Sequence, residues 1–279
     1  MSDVLLPVFK MLGDYAAKYG VISEGELRLR IKESLESQLR EGDREELERG
    51  LGGDLEELIF NSITTREGKL SVFSPDMHTK INYQGEIFYC LPTHRYMSAE
   101  LDDAFLRWSA IKNPPDKLKD VVVDFMHRAG YQIQMQGVRN LDMHKRGQYE
   151  HEHEHEYKYN YIELFAVKSS DKHLRILIMP SIKFVPYLMS GSGDSAVDVI
   201  SDADVIVVPT EKTPAPFISF FRECDVGEMM IWVADAERRT LDPFIGIPED
   251  KDIESNFANP DRARRAVSVW MKKMRIPDF

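Results

Sequence analysis

The sequence predicts an α/β protein in two parts, a helical amino-terminal domain over residues 1–113 and a mixed-sheet domain over residues 114–279. Three observations carry this reading. Apolar residues recur at helical spacing through residues 3–19 and 24–39, the pattern of helices with one buried stripe. Asn113-Pro114-Pro115 then interrupts the chain, because prolines remove backbone donors and push the preceding residue into an extended conformation. Beyond that break, short apolar runs such as 175–179, 203–209 and 228–234 alternate with helical segments, as strands do in a sheet covered on both faces. A chain of 279 residues, 43% hydrophobic and 10% aromatic, has enough length and apolar surface for two ordinary domains.

In the first domain, the helix over 24–39 opens at Ser23 with Glu26 three positions later, the arrangement of a capping box. A further helix is expected over about 53–63, after the Gly50-Leu51-Gly52-Gly53 break. Two β-prone runs follow, 70–73 and 86–91, with a turn at Asn82-Tyr83-Gln84-Gly85. Residues 98–112 form the last helix before the prolines.

In the second domain, a helix over 118–129 carries Leu118, Val121, Val122, Phe125 and Met126 on one face and stops at Gly130. Residues 131–136 alternate strictly, the period of a strand covered on one side. Two strands follow, Tyr161 to Lys168 and Arg175 to Lys183. Next come a short helix after Gly191-Ser192-Gly193 ending near Ile200, a strand at 203–209, a helix at 215–223, a strand at 228–234 and a closing helix near 260–274.

Helices followed by a hairpin make residues 1–95 similar to a winged-helix module. Its third helix would carry Asp54, Glu56 and Glu57 near its start, where phosphate repulsion is strongest, so protein contact or homodimerisation is expected of it rather than groove reading. Over residues 115–235, the helix, three strands, helix, strand order resembles the restriction-endonuclease-like fold, the PD-(D/E)xK superfamily. Ile162-Glu163-Leu164-Phe165-Ala166 stands where that family has the acid of its second strand, and Ser181-Ile182-Lys183 where it has Glu-x-Lys. The resemblance implies Glu163 as a ligand of Mg²⁺ or Mn²⁺, Lys183 as charge stabiliser, and Asp124 on the preceding helix as a helper. In such sites two carboxylates hold a cation that neutralises the phosphate and lowers the pKa of attacking water. Serine at 181 removes one of those carboxylates, so a degenerate site is the expectation unless another acid replaces it.

The run Tyr149 to Tyr159 alternates His151, His153 and His155 with glutamates. On a strand, neighbouring histidines of one face lie about 6.6 Å apart, close enough for a pair to hold Zn²⁺ or Ni²⁺. The competing reading, and the preferred one, is a hydrated hairpin arm or loop of offsetting charges. Ser190-Gly191-Ser192-Gly193-Asp194 lacks the remaining residues of a dinucleotide or P-loop fingerprint. There is no Gly-x-Ser-x-Gly or His-Glu-x-x-His motif.

Net charge is −11, from 36 Lys and Arg against 47 Asp and Glu. This opposes coating of nucleic acid through a general positive field, and residues 41–57 alone carry −6. Any nucleic-acid contact is expected through a local basic patch, for which Arg262, Arg264, Arg265, Lys272, Lys273 and Arg275 are the candidates. Two cysteines, Cys90 and Cys224, are too few for a disulfide framework or thiolate zinc cage. No apolar run reaches the roughly 20 residues of a membrane span, and the amino terminus lacks a signal peptide's layout, so a cytoplasmic protein is expected. Two functions remain: a nucleic-acid-associated protein on a nuclease-like scaffold, active or not, and a non-catalytic interaction or regulatory protein that self-associates through its amino-terminal domain.

Overall fold

The computed structural model describes residues 2–94, 98–143, 157–189, 203–224 and 229–273. The chain is mixed α/β and divides into two compact units, Met1–Trp108 and Ser109–Phe279. The first unit contains α1 (Ser2–Tyr19), β1 (Val21–Ser23), α2 (Glu24–Gln38), α3 (Glu41–Leu51), α4 (Leu55–Thr64), β2 (Thr79–Tyr83) and β3 (Glu86–Cys90); α5 (Ser98–Lys112) runs across the division.

The apolar stripes of α1, α2 and α4 meet in one core, with Val8, Phe9, Leu27, Ile31, Leu55 and Ile59 fully buried. Ser23 caps α2, its hydroxyl accepting the Glu26 amide at 3.1 Å. Glu26 does not complete the capping box. Its buried carboxylate is held by Tyr15 and by the Arg107 guanidinium, Nε to Oε1 at 2.6 Å. The acidic segment forms a helix of its own, α3, which buries only Leu47 and therefore has no stripe to betray it in sequence; Gly52 ends it at φ 72°.

Residues 70–73, expected as a strand, form turns. Strand β2 pairs instead with β3, closed by Gln84 and Gly85 at φ 53° and 85°, the positive pair that a tight two-residue hairpin requires. Strand β1 joins on the other side of β3, giving the order β1-β3-β2.

The second unit contains α6 (Pro115–Arg128), β4 (Gln132–Met143), β5 (Tyr157–Ser169), β6 (Lys172–Ile178), a 3₁₀ turn (Ile182–Phe184), α7 (Val185–Met189), β7 (Val205–Pro209), α8 (Ala215–Glu223), β8 (Met230–Asp235), β9 (Thr240–Ile245), α9 (Lys251–Asn256) and α10 (Arg262–Lys273). Six strands lie in sequence order, β4 to β9. The pairs β4/β5, β5/β6 and β8/β9 are antiparallel; β6/β7 and β7/β8 are parallel.

On one face Ile162, Leu164, Ile176, Val205, Val207 and Trp232 pack with Val122 and Phe125 of α6 and with Ile253 and Phe257. On the other, Phe184 of the 3₁₀ turn meets the Tyr159 ring at 4.7 Å. Strand β9 follows β8 through a tight turn and was not expected from sequence. Lys183 lies in the 3₁₀ turn beyond the end of β6 rather than on the strand. The histidine run 151–155 and the helix expected before Ile200 lie outside the described residues.

Candidate functional site

Strand register brings three charged side chains together at the middle of β5. Glu163 stands opposite Gly137 on β4 and Leu177 on β6. Arg139 and Arg175 are therefore its diagonal neighbours on the same face, within reach of a long side chain. Arg175 donates from Nε to Glu163 Oε1 at 2.6 Å, and Arg139 from Nε to Oε2 at 3.1 Å. The Glu163 side chain is 6% exposed and that of Arg175 16%. Both carboxylate oxygens are thus engaged by cations. A divalent metal approaching Glu163 would have to displace guanidinium groups from a buried carboxylate, a costly exchange.

Among the described residues, neither Asp124 nor Lys183 makes a hydrogen bond or ion pair with this carboxylate. Asp124 lies on α6, which packs on the opposite face of the sheet through Val122 and Phe125; its carboxylate is half exposed and paired with Arg239 in the β8–β9 turn. Lys183 is half-buried in its 3₁₀ turn, between the buried Ile182 and Phe184. Ser181 caps that turn and donates its hydroxyl to Glu211 Oε1 at 2.9 Å. An acid from the end of β7 therefore reaches the position where serine stands in place of the expected carboxylate. Among the described residues no group of three or more His, Cys, Asp or Glu side chains is placed to hold a metal. His151, His153 and His155 lie outside those residues.

A concavity lies where β7 and β8 end. It measures about 620 Å³ and is lined by the β7–α8 connection, the β8–β9 turn, the start of α6 and α10. Its apolar lining includes Leu118, Phe217, Val233 and Val267, all buried. Its charged lining is Lys112, Lys212, Arg238 and Arg262 against Glu211, Asp235, Glu237 and Asp242. Asp242 is buried and accepts the Asn259 amide at 2.6 Å. Asp235 receives the Arg238 amide at 3.0 Å and lies 3.8 Å from Arg238 Nε and 3.7 Å from Arg262 Nη2. The carboxyl ends of adjacent parallel strands are where open α/β sheets commonly bind ligands. In the sequence, the signal for this cleft is the charged residues that directly follow the two apolar runs, Glu211-Lys212 and Asp235 to Arg238. No motif joins these two groups of charges, which lie more than 20 residues apart along the chain.

Residues 194–259 match a domain of unknown function (DUF6834), C-terminal domain. The matched segment spans β7, α8, β8, β9 and α9 and supplies most of the lining of the cleft. No curated protein matches the chain.

Proposed function

We propose that this chain is a nucleic-acid-associated protein whose second unit is a nuclease-like scaffold acting as a binding platform, without hydrolysis at Glu163. The observation that carries this is the double arginine engagement of the Glu163 carboxylate, which leaves it poorly suited to hold a catalytic cation. The order α6-β4-β5-β6-α7-β7-α8-β8 in a mixed sheet supports the restriction-endonuclease-like reading of the scaffold. Strand β1 and the β2–β3 hairpin beside the helices support the winged-helix reading of the first unit. Helix α10 supports a local polyanion contact: its sequence is rich in arginine and lysine without an acid, and Arg265 and Lys272 are exposed. Such binding depends steeply on salt, because each neutralised phosphate releases counterions.

The test incubates the whole protein with plasmid, single-stranded DNA and RNA in Mg²⁺ or Mn²⁺, and measures cleavage and binding at low and moderate salt. Binding that weakens with salt and no cleavage are expected. Glu163→Gln is expected to lower stability by about 3 kcal/mol in urea, the usual cost of breaking a buried ion pair. Metal-dependent cleavage abolished by that variant while it remains folded would overturn the reading.

A second reading, self-association through the first unit, is favoured by the loop after α4, where Val72 is 94% and Phe73 60% exposed. Two adjacent large apolar side chains so open to water suggest a contact surface. If they form it, Val72→Ser with Phe73→Ser converts a dimer to a monomer in light scattering.

A further inference from the structure

We infer that the cleft at the ends of β7 and β8 binds a small organic anion of nucleotide size, with an apolar or aromatic body on its floor and its anionic group between Arg238 and Arg262. A volume of about 620 Å³ falls within the usual range for small-molecule sites, and so does its construction, an apolar floor with a few converging polar groups. The floor is set by Leu118, Phe217, Val233 and Val267, contributed by four different elements.

Cations and acids line the cleft in equal number, so preference for an anion rests on where the two arginines stand. Glu211 accepts the Ser181 hydroxyl and Asp242 the Asn259 amide, so both acids make bonds within the fold. Arg238 and Arg262 arrive from separate elements and converge on one carboxylate, Asp235, at 3.8 and 3.7 Å. Those separations exceed a hydrogen bond, so the pairs attract without using the guanidinium donors on that carboxylate. Guanidinium groups present donors in a planar fork that matches phosphate and carboxylate oxygens. Asp235 occupies the place that a ligand's anionic group would take, and acts as its competitor. The cleft lining does not include Glu163, so this inference is independent of the cleavage question.

The test is calorimetric titration of the whole protein with adenosine monophosphate, with inorganic phosphate in parallel. Saturable nucleotide binding with a dissociation constant below about 1 mM is expected, and much weaker binding of phosphate alone. Arg238→Ala combined with Arg262→Ala is expected to weaken the nucleotide at least roughly tenfold, equivalent to about 1.4 kcal/mol. Asp235→Asn is expected to tighten it by removing the competitor. The Arg238 side chain is 66% exposed, so Arg238→Ala alone leaves the fold intact and provides a control should the double variant unfold; it too must weaken binding. No saturable nucleotide binding overturns the inference. So does binding unchanged in the arginine variants, or phosphate bound as tightly as the nucleotide.

Discussion

Asp250 shows how one side chain is made to hold several elements. It caps α9 by accepting the Asp252 amide, and its carboxylate also receives Tyr131 at 3.1 Å, Lys168 at 3.3 Å and Lys172 at 3.1 Å. Burial acts to raise its pKa, but the Asp252 amide, the two lysines and the tyrosine outweigh that and hold the carboxyl well below the ordinary carboxylate range. The same contact and burial push the Tyr131 hydroxyl up to about 12. A carboxyl whose folded pKa is depressed adds stability that is complete above its unfolded pKa, near 4, and is lost as pH falls toward the folded value. Urea unfolding between pH 7 and pH 2 is therefore expected to show a steep loss below about pH 4. Asp250→Asn should be less stable at pH 7 and flatter below pH 4. Parallel curves for the two proteins would show that Asp250 is not a source of the acid sensitivity. Glu163 too is held by partners built into neighbouring strands, Arg139 of β4 and Arg175 of β6.

Element ends illustrate what local sequence dictates. The cap of α2 was readable because Ser23 offers an acceptor at the point where the first helical amides lack one, and the structure places its hydroxyl on the Glu26 amide. Ser23→Ala is expected to cost about 1 kcal/mol in denaturant unfolding, with unchanged content of helix by circular dichroism; no loss would mean another group satisfies that amide. The strands β5, β6, β7 and β8 and the helices α5, α6 and α8 were legible for the same kind of reason, as apolar runs or stripes bounded by Gly, Pro or charge. The departures have physical causes. Helix α3 buries one leucine and shows no stripe; β1 is too short to carry a pattern; and the run 70–73 is apolar but lacks the register partner that Thr79–Tyr83 finds in β3. For the site, residue types were readable but facing was not. Glu163 was identifiable as an acid in a strand, yet its arginine partners depend on the β4–β5–β6 register, and the charges of the cleft come from elements far apart in sequence.

At the scale of the whole molecule, the hydrophobic cores argue for two parts that fold by themselves. One core gathers α1, α2, α4 and β3 around Phe9 and Ile59; another gathers α6, the large sheet and the residues around α9 about Phe125 and Trp232. Each cluster is drawn from one compact unit, and the strands of the two sheets do not mix. Cutting at Asn113-Pro114 keeps α5 whole with the first part, together with the buried Arg107 to Glu26 pair, whose loss would strand a buried carboxylate at a cost of about 3–5 kcal/mol. Residues 1–113 and 114–279, produced separately, are each expected to show cooperative thermal unfolding and dispersed amide resonances. A fragment 1–106, which removes Arg107, should be markedly less stable than 1–113. If 1–113 or 114–279 alone behaves as an unfolded chain, the cores depend on one another and the domains of this protein are not autonomous. Two cooperative fragments would instead allow the polyanion and nucleotide experiments to be assigned to one part or the other.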